Sequence, residues 1–150
     1  MKSRLRLAFA SLALVCLSAV PAHPAPGEPP TELGRKMEDL NASWRKLRRQ
    51  VADPAKNADS LDLVAKIKAA SADAATLSPA KTGDLPEAER AKFQADYAAG
   101  MKKFAAMLDQ LEAALKANHN DEAGKLVTAL ADFQRESHKL FRRPPPEKAK

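Results

Sequence analysis

Residues 31–51 read TELGRKMEDLNASWRKLRRQV, and the spacing of their apolar side chains decides the fold class. Leu33, Met37, Leu40, Trp44, Leu47 and Val51 are separated by alternating steps of four and three. Such steps gather side chains into one narrow stripe, the pattern of a helix buried along a seam between other helices. Thr31 supplies a side-chain oxygen for the first free backbone N–H groups. Arg45, Lys46, Arg48 and Arg49 crowd the last turns, where cations suit the helix dipole, and a solvated helix end is preferred here to a basic binding patch.

The same periodicity recurs three times downstream, between short breaks containing Pro, Gly or Asn. Asp53-Pro54 ends the first helix. A second, alanine-rich helix is expected from near Ser60, carrying Leu63 or Val64, Ile67, Ala70, Ala74 and Leu77, and ending before Pro79. After a loop over residues 78–83, Asp84, Pro86 and Glu87 read as an N-cap, an early proline and a capping-box acid for a third helix. Its stripe is Phe93, Tyr97, Met101, Phe104, Leu108, Leu111 and Leu115. Asn120 or Asp121 is expected to cap a fourth helix bearing Ala123, Val127, Leu130, Phe133 or Gln134, Ser137 or His138, and Phe141. Pro144 to Pro146 stop it, leaving residues 144–150 as a tail. Four helices on short loops imply an all-α, up-down-up-down antiparallel four-helix bundle over residues 31–143, read as a monomer.

Residues 1–22 are expected to lie outside this fold. Lys2, Arg4 and Arg6 precede a charge-free apolar run over residues 7–20, and Val20-Pro21-Ala22 offers a cleavage site. That order is a secretory signal, and its apolar part is short for a membrane span. The mature protein is therefore expected in the periplasm, behind a Pro-rich leader over residues 23–30, with no membrane attachment after cleavage. Cleavage would remove the sole cysteine, Cys16, and with it any disulfide, thiol nucleophile or thiolate ligand. It would also remove three cations and no acid, so the formal net charge falls from +6 to +3. Nucleic-acid binding then has little compositional support.

Most catalytic arrangements are missing. There is no Gly-rich phosphate loop, no HExxH, no CxxC and no CxxCH for covalent haem attachment. A di-iron bundle needs paired Glu-x-x-His motifs, whereas Arg135 stands three residues before His138. Of the three histidines, His23 lies in the leader and His119 between the third and fourth helices, so only His138 stands in a helix beside an apolar stripe. Alone it reads most simply as a packed, hydrogen-bonded side chain, and Met37 alone as a core filler. Together they say more. The start of helix one and the end of helix four share one end of such a bundle, and at ~1.5 Å per residue both side chains fall within roughly 10 Å of that end. An imidazole facing a thioether suits haem iron, with copper(I) as the chief competitor.

At these residues the chain resembles the cytochrome b562 family. Met37-Glu38-Asp39-Leu40-Asn41 is similar to the family's first-helix run, and His138-Lys139-Leu140-Phe141-Arg142 to its last. Asp96-Tyr97-Ala98-Ala99-Gly100-Met101 resembles its third-helix segment, with methionine where the family has phenylalanine. The stretch between helices one and three is longer than the family's. The resemblance implies non-covalent haem b held by Met37 and His138, with Leu40, Asn41, Trp44, Tyr97, Met101 and Phe104 as pocket walls. It further implies one-electron transfer to redox partner proteins in the periplasm, without substrate turnover. The competing reading is a haem-free bundle serving as a protein-interaction or chaperone-like module, with a haem or metal carrier as a third.

Overall fold

Thr31 caps the first helix as its side chain suggests, its Oγ1 accepting from the Gly34 N–H at 3.1 Å. The computed structural model describes residues 31–143; the signal, leader and tail expected over residues 1–22, 23–30 and 144–150 lie outside the described residues. Helix α1 covers Glu32–Gln50, α2 Asn57–Ala75, α3 Glu87–Lys116 and α4 Asn120–Phe141. Two short 3₁₀ turns, Pro54–Lys56 and Ala80–Asp84, bridge the first two gaps, and the described residues contain no strand. None of these helices is long and apolar enough to cross a membrane.

Cross-helix contacts give the directions. Gln50 of α1 donates to Ser60 of α2 at 3.1 Å, while Lys36, near the other end of α1, pairs with Asp73 at 2.6 Å. Tyr97 of α3 bonds the Ala74 carbonyl of α2 and meets Phe141 of α4, whereas Phe104 stacks on Phe133 further along. Successive helices thus run antiparallel, each packed on the next, and α1 and α4 close the bundle. This is the expected up-down-up-down architecture.

The stripes meet where the spacing predicts. Leu47, Val64, Ile67, Leu108, Leu111 and Leu130 are fully buried in one core that also takes in Leu40, Trp44 and Phe104. Burying a side chain of that size stabilises the fold by about 1.5–3 kcal/mol each. Between α2 and α3, Lys68 reaches both Asp109 and Glu112 at 2.6 Å. Lys116 and Lys68 together hold the Glu112 carboxyl down to about 2.

Away from the core, local expectations fail for tertiary reasons. Helix α2 begins at Asn57 rather than near Ser60, because Asp53 caps the 3₁₀ turn at Ala55 and the turn leads straight into the helix. Asp84 does not cap α3; Pro86 holds that position and the Asp84 carboxylate takes Arg143 instead. His119 occupies the N-cap position of α4, and Asn120 is buried as its first residue. Asn120 Nδ2 donates to the Val51 carbonyl at 2.7 Å and to Asn57 Oδ1 at 2.8 Å. Asn57 in turn donates to Asn118 and Asn120. Asn118 takes the left-handed conformation (φ 58°) that ends α3, a conformation asparagine tolerates better than most side chains. The end of the bundle remote from Met37 and His138 is therefore tied by three asparagines.

Candidate functional site

Gln134 Nε2 of α4 donates to Asn41 Oδ1 of α1 at 3.2 Å, and this bond sets the register of the closing seam. Met37 stands one helical turn before Asn41 and His138 one turn after Gln134. Because α1 and α4 run in opposite directions, both steps lead toward the same bundle end. Residues four apart share a helix face, so Met37 and His138 come to one level on the two sides of one seam. Met37 is half-buried and packs against the core, and His138 is exposed.

His138 is not a satisfied core histidine. Among the described residues its imidazole makes no hydrogen bond and no ion pair. Enough protein surrounds the ring that partial desolvation, and after it the Arg142 guanidinium one turn on, hold its pKa below the ordinary histidine value. The neutral form, whose free lone pair can bind a metal, is favoured at neutral pH.

The other expected wall residues lie above and below that level. Tyr97 meets Phe141 toward the bundle end, and Phe104 stacks on Phe133 toward the middle at 6.4 Å between centroids. Half-buried Met101 lies between them on α3. Leu40 and Asn41 lie about one turn deeper on α1, and Trp44 about a turn deeper again. Counted along α4 from Phe133 to Phe141, the set spans about 12 Å of bundle axis at ~1.5 Å per residue. Leu40, Trp44 and Phe104 form part of the main core. Tyr97 is buried, its hydroxyl donates to the Ala74 carbonyl at 3.0 Å, and burial pushes its pKa up to about 12. It is a strut between α2 and α3 and is not free to ligate.

Two residues beside this level are not singled out as site candidates by the sequence. Gln134 was only an alternative for the α4 stripe, and its distance of one turn from His138 was the available signal. Phe141 belongs to the α4 stripe and to the run that resembles the family's last helix; its ring meets both Phe93 and Tyr97 edge-on, at 5.3 and 5.5 Å between centroids. An open groove of about 680 Å³ lies at the same bundle end, lined by Phe93, Gly100, Phe133, Ser137, Leu140 and Phe141 among others. It runs on the α3 side of α4, and neither Met37 nor His138 lines it.

The donor set can be tested against the group that the resemblance implies. Among the described residues, no three His, Cys, Asp or Glu side chains gather as a bare metal ion would require. One imidazole and one thioether across a seam supply two donors on opposite sides. That suits an iron whose remaining four positions belong to a porphyrin. The apolar residues around them suit the rest of the ring, so the residues present fit haem b.

No curated protein matches the chain. The family model for cytochrome b562 matches residues 32–142, from the first residue of α1 to the residue that caps α4. Fold, span and motif order agree with that match, and the chain belongs to the cytochrome b562 family, a family of b-type haem electron carriers.

Proposed function

We propose that the mature protein carries single electrons in the periplasm on a non-covalently bound haem b, whose iron Met37 and His138 would hold. The observation that most supports this reading is the Asn41–Gln134 bond, which leaves a thioether and an unpartnered imidazole one turn away on facing helices. When bound, the haem supplies a reversible one-electron change at its iron.

The chain's residues do the rest. His138, favoured neutral, offers its lone pair. The Met37 thioether favours the reduced metal and so raises the reduction potential. Leu40, Trp44, Met101 and Phe104 keep water from the ring, and Asn41 with Gln134 closes the seam on the core side. Met37 and His138 would both be engaged with the iron, and on this reading the reactants are redox partner proteins. Export follows from the charged and apolar segments of residues 1–20.

Titration of the purified mature protein with haemin, followed by dithionite reduction, tests the proposal. A stoichiometric six-coordinate low-spin spectrum with sharp reduced bands is expected. A spectrum indistinguishable from free haemin would remove the proposal and favour a haem-free interaction module.

A further inference from the structure

His138 occupies the last intact turn of α4. Its carbonyl accepts from the Arg142 N–H at 3.0 Å, and beyond that residue the backbone becomes extended. Final helical turns fray, because their last carbonyls lack partners within the helix. A metal ligand placed there keeps its position only if something outside the helix holds the turn.

The short 3₁₀ turn Ala80–Asp84 supplies that hold. Arg143 Nε donates to Asp84 Oδ2 and its Nη2 to Asp84 Oδ1, both at 2.7 Å, a two-point fork that fixes direction as well as distance. The same Nη2 donates to the Ala80 carbonyl at 3.0 Å. From the same turn, Lys81 Nζ donates to the Leu140 carbonyl at 2.7 Å and so serves one of the free carbonyls at the α4 terminus. Asp84 and Arg143 are each at least partly shielded, with side chains 35% and 24% exposed. Leu140, within the imidazole's turn, and Arg143, just past it, are thus fastened to the segment joining α2 and α3. Arg143 lies one residue past the family match over residues 32–142.

We infer that the Asp84–Arg143 clasp, with Lys81 on the Leu140 carbonyl, is a positioning device that holds the last turn of α4 so that His138 keeps its place opposite Met37. Arg143 and Asp84 touch no ligand; they act through the backbone of α4. The inference rests on the proposed haem ligation, and its test separates the two.

Arg143→Ala, Asp84→Ala and the double variant are compared with the unsubstituted protein in three measurements: haemin dissociation rate, low-spin fraction of the ferric spectrum, and amide hydrogen exchange of residues 138–142 without haem. Each single variant is expected to release haemin about tenfold faster or more, the range typical for removing support behind a metal ligand. The low-spin fraction is expected to fall, and exchange over residues 138–142 to quicken while the core amides stay protected. The double variant is expected to match Arg143→Ala, because the fork is already lost there, whereas Asp84→Ala still leaves Arg143 its bond to the Ala80 carbonyl. Arg143→Lys, which keeps the charge but not the fork, is expected to recover only part of the effect. Unchanged haemin release and spectrum in Arg143→Ala would overturn the positioning role while leaving the ligation intact. An unsubstituted protein that gives no six-coordinate spectrum would overturn the ligation, and the positioning role with it.

Discussion

Met37 and His138 are chemically unequal, and so are the consequences of removing them. Imidazole is the stronger donor to either oxidation state of iron, whereas the thioether chiefly tunes the potential. Met37→Ala is expected to bind haemin with an altered, lower-field spectrum and a lower reduction potential, and His138→Ala to lose most of its affinity. Full retention of the native spectrum in both variants would contradict the assignment. Tyr97 sets a different limit. Its hydroxyl is buried, so the folded state resists ionising it to about 12, whereas the unfolded chain ionises near 10. Stability is therefore undiminished by this group below pH 10 and is lost as pH rises from there toward 12, by on the order of 2 kcal/mol. Tyr97→Phe is expected to flatten that alkaline fall in equilibrium unfolding. At neutral pH it should cost under about 1 kcal/mol, because the Leu77 N–H still serves the Ala74 carbonyl at 3.1 Å.

At the scale of helices and turns, the seam-facing spacing of α1 was legible because helix periodicity and burial are the same fact seen twice. Leu40, Trp44, Leu47 and Val51 are buried where the steps of four and three put them. The ends were less legible. Asp84 has the chemistry of an N-cap, but its partner Arg143 is 59 positions away and outcompetes the local backbone for it. Asn57 reads as a break residue until Asn118 and Asn120 are brought beside it by the turn between α3 and α4. The Asn41–Gln134 bond was likewise invisible, since only closure of the bundle makes the two residues neighbours. Asn57→Ala tests the remote end: it leaves buried Asn120 short of one acceptor and one donor. A loss of about 1–3 kcal/mol in denaturant unfolding is expected, with the haemin spectrum unchanged.

For the whole molecule, the proposed cofactor is also a structural partner. The chain's core is continuous without it, so the haem-free protein is expected to unfold cooperatively. A ligand that binds only the folded bundle raises stability with its free concentration, by about 2.7 kcal/mol at a hundredfold excess over its dissociation constant. For a bundle of this size that corresponds to a melting-temperature rise on the order of 10 °C. Scanning calorimetry at several haemin concentrations checks this, and a concentration-independent midpoint would argue against binding at the seam. The family-level fold was readable in one sequence because it rests on spacing, whereas the proposed pair of donors rests on spacing and on the family resemblance together. What holds the donors in register was not readable, because it rests on contacts between distant segments.

The closing seam carries a consequence in time. Asn41 and Gln134 meet across 93 positions of chain, whereas the α1–α2, α2–α3 and α3–α4 pairs are each joined by a short connection. Hairpins of neighbouring helices form early, since little loop entropy opposes them, and the contact between first and last helix comes late. A chain crossing a membrane from its N-terminus would deliver Met37 first and His138 near the end of its passage. On the proposed assignment, then, the order of arrival is itself a safeguard: a half-delivered chain has one donor and a loose grip, and firm capture of the cofactor waits for a completed polypeptide.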